Sequence, residues 1–179
     1  MHAITLITGG ARSGKSSFAL QLARKRYSQR AFIATAMAFD EEMNQRISCH
    51  QKERGNTFHT IEEPIRLARA ISSCAGRAEV ALVDCLTVWL GNLYHHCDEN
   101  ERTVREHVDA FLAALDLPPC DLILVTNEVG WGIVPENRLA RAFRDTAGHL
   151  NREIAQKAQQ VYLLCCGIPL ALKGERPHE

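Results

Sequence analysis

The sequence predicts an α/β domain, a mostly parallel β-sheet flanked by helices. Three observations carry that expectation. Five apolar runs of strand length recur along the 179 residues, with helical segments between them. The runs are near-continuous rather than alternating, the pattern of strands covered on both faces. Between the first strand-like run and the first helical one, Gly9-Gly10-Ala11-Arg12-Ser13-Gly14-Lys15-Ser16 reads G-x-x-x-x-G-K-S, the phosphate-binding P-loop pattern in the strand–loop–helix context it requires. The expected fold is therefore of the P-loop NTPase type (RecA-like), with residues 1–179 forming one domain.

The elements follow in order. Ala3–Thr8 is the first strand, its Ile4-Thr5-Leu6-Ile7 apolar and β-branched. Ser17–Tyr27 carries Phe18, Ala19, Leu22 and Ala23 at helical spacing. Ala31–Thr35 is the second strand and Asp40–Glu53 a helix. Thr57–Ile61 reads as a short extra strand. Pro64–Ser73 is a helix whose proline suits the first turn. Glu79–Asp84 is the third main strand, followed by helices at Leu86–Tyr94 and Glu101–Leu115; Pro118-Pro119 stop the latter. Asp121–Thr126 is the fourth main strand, Glu136–Lys157 the last helix and Gln160–Cys165 the fifth main strand. Ile168–Leu172 suits an edge strand, and the polar residues Lys173–Glu179 read as a frayed tail.

Composition narrows the function classes. Lys plus Arg and Asp plus Glu each number 21, so the formal net charge is zero, which points away from nucleic acid or an anionic membrane as the main partner. No run reaches the roughly 18 apolar residues of a transmembrane helix. The N-terminus enters a strand without a basic segment or a long apolar one, so a cytoplasmic protein is expected. The seven cysteines (Cys49, Cys74, Cys85, Cys97, Cys120, Cys165, Cys166) are odd in number and include no C-x-x-C. Reduced thiols fit this better than a disulfide framework or a zinc site.

The P-loop sets the chemistry. Its glycines let backbone N–H groups converge on a phosphate, and the helix beginning near Lys15 adds its positive end. Lys15 reaches the β- and γ-phosphates, and the Ser16 hydroxyl suits Mg²⁺. In a parallel sheet the ligand lies at the C-terminal ends of the strands. That singles out Gly9 to Ser16, Ala34-Thr35-Ala36, Asp84 and Thr126-Asn127-Glu128.

Asp84 closes an apolar strand, as the Mg²⁺-holding acid of P-loop enzymes does; a residue there also suits capping the next helix. On the helix from Asp40, Met43, Ile47 and His50 share a face. Spacing alone fits a histidine at the edge of a core stripe. The same helix follows the second strand, where a histidine could attack a phosphate and form a phosphoramidate. Asn127–Asn137 leaves the fourth strand on the ligand side, with Trp131 an apolar face and Arg138, Arg141 and Arg144 a basic stripe beyond it. His95, His96 and Cys97 make a loose cluster without metal-ligand spacing. No N-K-x-D follows the fourth strand, which argues against a switch GTPase of the Ras type.

T-G-G-A-R-S-G-K-S at Thr8–Ser16, I-A-T-A at Ile33–Ala36, D-E-E-M…R-I…H at Asp40–His50 and T-N-E-V-G-W-G-I-V-P-E-N-R-L-A-R-x-F-R-D at Thr126–Asp145 together resemble one family. It is the bifunctional adenosylcobinamide kinase/adenosylcobinamide-phosphate guanylyltransferase family of cobalamin biosynthesis. The resemblance implies two reactions at one nucleotide site. The aminopropanol hydroxyl of adenosylcobinamide takes the γ-phosphoryl of ATP or GTP. A histidine then attacks the α-phosphate of GTP, pyrophosphate leaves, and GMP passes to the phosphorylated cobinamide to give adenosylcobinamide-GDP. The guanylylated histidine falls on His50. Nucleotide contacts fall on Gly9 to Ser16, Ala34, Thr35, Ala36, Gln51, Lys52, Glu53, Arg54, Glu62 and Asp84, with Mg²⁺ on Ser16 and Asp84. The resemblance further implies a homotrimer, with a site completed by a neighbour.

This chain departs from the family around that histidine. Arg54-Gly55-Asn56-Thr57-Phe58 stands where many relatives have R-P-x-x-W, and Gln51 replaces a basic residue. Two other readings compete: a simple P-loop small-molecule kinase with a structural His50, and a nucleotide-switched regulator that transfers nothing.

Overall fold

Seven strands form the frame of the computed structural model, which describes residues 2–37, 41, 51 and 55–175. They are β1 (Ile4–Gly9), β2 (Arg30–Ala34), β3 (His59–Glu62), β4 (Val80–Asp84), β5 (Asp121–Val125), β6 (Gln160–Cys165) and β7 (Ile168–Lys173). One sheet holds them in the order β3-β2-β4-β5-β1-β6-β7. Every neighbouring pair is parallel except β6 and β7. The described helices are α1 (Lys15–Arg26), α2 (Leu67–Ser72), α3 (Leu86–His96), α4 (Glu101–Ala114) and α5 (Arg138–Lys157). Glu41 and Gln51 are helical. The rest of the expected Asp40–Glu53 helix, His50 and Cys49 included, lies outside the described residues.

The near-continuous apolar runs are explained by cover on both faces of the sheet. Successive strand residues point to opposite sides. Leu6, Ile33, Val83 and Leu124 pack beneath α2, α3, α4 and α5, while Ile7, Phe32, Leu82 and Ile123 pack with Ala19, Leu20 and Ala23 of α1. Burial of this kind stabilises by about 1.5–3 kcal/mol per large apolar side chain. Among the described residues every buried side-chain nitrogen or oxygen has a hydrogen-bond partner.

The five main strands fall where the sequence places them, within a residue at each end, and β3 and β7 occupy the two sheet edges. Several helix boundaries differ, for local reasons. The helix expected from Pro64 begins at Leu67, because the Glu63 carboxylate accepts from Ile65 N (3.0 Å) and Arg66 N (2.8 Å) and holds those residues in a turn. The last helix starts at Arg138 rather than Glu136, since Asn137 Oδ1 caps it by accepting from Ala140 N (3.1 Å). The tail is not frayed at its start. Lys173 is in β7, and its Nζ donates to Ala155 O (3.0 Å) and Gln156 O (3.1 Å); Glu175 O accepts from Tyr162 Oη (3.0 Å). The six described cysteines are free thiols. No described helix is long and apolar enough to cross a membrane.

Candidate active site

The loop from Gly10 to Gly14 joins the end of β1 to the start of α1 at the C-terminal edge of the sheet. Two backbone positions, one at each end of this loop, require glycine. Gly9 has φ 149°, and a methyl group there would sit 2.4 Å from the Leu164 carbonyl oxygen of β6. Gly14, the N-cap of α1, has φ 93°. No side chain caps this helix, whose positive N-terminal end opens on the loop. Lys15 opens the helix and is only 7% exposed. Its Nζ donates to Gly10 O (2.5 Å) and Ser13 Oγ (3.4 Å), so the ammonium curls back across the loop. Burial pushes its pKa down, against the opposing influence of Cys85 and Asp84 nearby. Ala11 and Arg12 are exposed at the loop tip. Ser16 lies half-buried in the first turn of α1.

Strand register aligns the other expected residues. Glu62 pairs with Ala34, Ala34 with Asp84, Asp84 with Val125, and Val125 with Ile7. One row across the sheet edge thus runs from Glu62 to the strand that feeds the P-loop. Asp84 is half-buried and is not the helix cap: Cys85 is the N-cap of α3, its Sγ accepting from Val88 N (3.4 Å). Ser16 and Asp84 together offer the hydroxyl and carboxylate oxygens that Mg²⁺ prefers. No cluster of three or more His, Cys, Asp or Glu side chains able to hold a metal occurs among the described residues. A Mg²⁺ ion that keeps waters and shares nucleotide phosphates needs no such cluster, so the donor set fits.

Thr35 is fully buried and its polar atoms are engaged inside the protein. Its Oγ1 donates to Cys85 O (2.9 Å) and accepts from Cys85 N (2.9 Å), its N–H donates to Asp84 O (3.3 Å), and its carbonyl accepts from Asn92 Nδ2 (2.7 Å). Thr35 therefore fixes the end of β2 to the backbone of Asp84 and Cys85. Ala34 and Ala36 beside it are partly accessible, and Glu62 is exposed.

A second network, unread in the sequence as a unit, joins β1, β5, α3 and α5. Thr8 Oγ1 donates to Glu128 Oε1 (2.8 Å), which also accepts from Asn151 Nδ2 (3.4 Å). Glu128 N donates to Gly9 O (3.1 Å). Thr126 Oγ1 donates to Asn151 Oδ1 (2.9 Å) and lies 3.3 Å from Thr87 Oγ1, which accepts from Asn127 N (2.8 Å). The sequence singled out Thr126 to Glu128 by strand position and as the start of the Thr126–Asp145 block, without a role for each side chain. Thr8 entered only as the first residue of the Thr8–Ser16 motif, and Thr87, Asn92 and Asn151 carried no signal beyond being polar residues within apolar stretches.

The connection after β5 is open: Trp131 is 75% exposed and Ile133 96%. The basic stripe behind it is engaged locally. Arg141 Nη1 donates to Pro135 O (2.9 Å) and Glu136 O (2.5 Å), Arg138 pairs with Glu101 (3.4 Å) and Arg144 with Asp145 (3.5 Å). A groove of about 830 Å³ runs between α3 and α5, with Tyr94, His95, Leu139 and Phe143 among its walls. Gln51 is exposed. His50, Lys52, Glu53 and Arg54 lie outside the described residues.

A family model described as cobinamide kinase / cobinamide phosphate guanyltransferase matches residues 5–172. The chain is 44% identical over 170 residues to the bifunctional adenosylcobalamin biosynthesis protein CobP of Pseudomonas aeruginosa, covering 95% of this chain and 97% of that protein. It is 38% identical over 179 residues to the bifunctional adenosylcobalamin biosynthesis protein CobU of Escherichia coli, covering 94% and 98%. Among solved structures, an ATPase from the type III secretion system of pathogenic bacteria superposes with a TM-score of 0.51 at 7% identity. That match covers 90% of this chain and half of that one, and it shows a shared fold.

Proposed function

This chain belongs to the cobinamide kinase / cobinamide phosphate guanyltransferase family, and from that premise we propose how its site divides the work of two reactions. The protein is a bifunctional enzyme of cobalamin biosynthesis, an adenosylcobinamide kinase and adenosylcobinamide-phosphate guanylyltransferase. The observation that carries this reading is a family match spanning residues 5–172, with a complete phosphate loop at the sheet edge inside it.

In the first reaction the aminopropanol hydroxyl of adenosylcobinamide attacks the γ-phosphorus of ATP or GTP. The backbone of Gly9 to Ser16 cradles the phosphates, and Lys15, released from Gly10 O, meets their negative charge. Ser16 and Asp84 would hold Mg²⁺, whose charge lowers the repulsion met by an attacking oxygen. Ala34, Ala36, Gln51, Lys52, Glu53, Arg54 and Glu62 surround the rest of the nucleotide, and Thr35 positions the strand end beneath it.

In the second reaction the neutral imidazole of His50 attacks the α-phosphorus of GTP. The bond to the bridging oxygen breaks and pyrophosphate leaves with the electron pair, its charge met by Lys15 and the loop N–H groups. The phosphate of adenosylcobinamide phosphate then displaces the histidine, giving adenosylcobinamide-GDP. The two steps attack different phosphorus atoms, so either the nucleotide binds in two poses or the helix that carries His50 moves. The assembly is a homotrimer working in the cytoplasm, where nucleoside triphosphates are available.

Labelling with α-radioactive and γ-radioactive GTP, on wild type and His50→Ala, tests the covalent step. Acid-labile, base-stable label from the α-position alone, lost in His50→Ala, is the expected result. A wild-type protein that binds nucleotide yet takes no α-label would leave a simple kinase.

A further inference from the structure

Phosphorylating an alcohol and guanylylating a phosphate differ in one chemical requirement. An alcohol is a weak nucleophile until a base takes its proton. A phosphate monoester carries about −1.5 to −2 charge at pH 7 and needs no base. An enzyme that performs both therefore needs one group for the first reaction that the second does not use.

Four described carboxylates lie at the C-terminal edge of the sheet: Glu62, Glu63, Asp84 and Glu128; that of Glu63 is taken up by the turn to α2, accepting from Ile65 N and Arg66 N. Glu62 is exposed at the end of β3, an edge strand three places from β5. Asp84 is the acid suited to the metal. Glu128 is the third residue beyond β5, the strand between the P-loop strand β1 and the Asp84 strand β4. Its N–H donates to the carbonyl of Gly9, the first residue of the phosphate loop. Its carboxylate is half-buried and oriented by Thr8 and Asn151, both of which donate to Oε1. Oε2 makes no hydrogen bond to a described residue. One oxygen is thus fixed to the scaffold while the other remains open, as a positioned base requires.

We infer that Glu128 is the general base of the kinase reaction alone, its Oε2 taking the proton of the aminopropanol hydroxyl. This rests on the assignment of the two reactions above. As the proton moves to Oε2, the alkoxide oxygen bonds to the γ-phosphorus. The bond from that phosphorus to the β–γ bridging oxygen breaks, and its electron pair leaves with the nucleoside diphosphate. Glu128 returns the proton to water after product departure. Guanylyl transfer proceeds without it.

The test is Glu128→Gln, in which the amide oxygen accepts the same two hydrogen bonds but no proton. Wild type and variant are compared in three assays: phosphorylation of adenosylcobinamide by ATP, self-labelling by α-labelled GTP, and transfer of that label to adenosylcobinamide phosphate. The expected result is a kinase kcat lower by about 10²- to 10⁴-fold, the usual contribution of general base catalysis, with KM for ATP, self-labelling and label transfer unchanged. Kinase turnover that survives in Glu128→Gln overturns the inference, as does an equal fall in both reactions, which a metal-binding or structural role would give. Wild type that does not phosphorylate adenosylcobinamide at all overturns the activity assignment together with the inference. If Glu128→Gln does not fold, Glu128→Asp, which retains the charge but withdraws it by one methylene, must show the same separation of kinase from transferase.

Discussion

Gly9 and Leu164 meet backbone to backbone: a methyl group on Gly9 would lie 2.4 Å from the Leu164 carbonyl oxygen. The P-loop is therefore seated on β6 as well as carried by β1. Gly9→Ala forces the strands apart or the loop out of place. We expect a loss of about 1–3 kcal/mol in stability, typical of overpacking, together with weaker nucleotide binding. Gly10→Ala is the control for stability, since a methyl there meets no protein atom within 4 Å. Thermal melts of the two variants check the contrast, and ATP titration of Gly9→Ala checks the binding.

Burial of the Lys15 ammonium opposes folding of the nucleotide-free protein. Burial depresses its pKa below 10.5, so the unfolded chain holds that proton more tightly than the folded one. Its contribution to stability accordingly rises with pH up to about 10.5 and is level once both states have lost the proton. Lys15→Met should raise the melting temperature of the nucleotide-free protein and flatten that alkaline rise. The same variant should bind ATP about 10- to 100-fold more weakly, as for loss of a charged hydrogen bond worth about 1.5–3 kcal/mol. Melts across alkaline pH and calorimetric titration with ATP measure the two effects.

Thr35→Val keeps shape and removes the hydroxyl that serves both the N–H and the carbonyl of Cys85. Leaving such groups buried and unpaired costs about 1–3 kcal/mol. Because Asp84 is held through the same backbone, KM for the nucleotide should rise as well. Denaturant unfolding and steady-state kinetics would show both changes; a variant as stable as wild type would mean that water replaces the hydroxyl.

Tyr27→Phe should separate stability from activity. Tyr27 Oη donates to Asp121 Oδ2 (2.7 Å), and burial, with Asp121, holds the phenol protonated well above its usual range. Asp121 opens β5 at the edge of the sheet opposite the site, about 17 Å away along the strand. A stability loss of about 0.5–1.5 kcal/mol with unchanged kinase and transferase rates is expected from urea unfolding and activity assays.

The sheet was legible because its strands are buried on both faces and so appear as unbroken apolar runs, as Val80–Val83 and Leu122–Val125 do. The P-loop was legible because phosphate binding demands fixed residue types at fixed spacing. Helix starts were less so, because they depend on single side chains: Glu63 delays α2 and Asn137 delays α5, and many residues could have done either. The polar network around Glu128 was hidden for a different reason. Thr8, Glu128 and Asn151 are 120 and 23 residues apart in sequence, and only the register of β1 against β5 and the path of α5 bring them together.

The order β4-β5-β1 leaves the phosphate loop and Asp84 on strands that never touch. Their separation is two interstrand spacings, about 10 Å, and it is kept by backbone hydrogen bonds common to any sequence that forms these strands. The side chains of β5 then carry no information about that distance. Substitutions at Ile123 or Leu124 can accumulate over generations, provided the core remains filled, while the span bridged by a triphosphate stays constant. The distance between the two halves of the site is thus a property of the main chain.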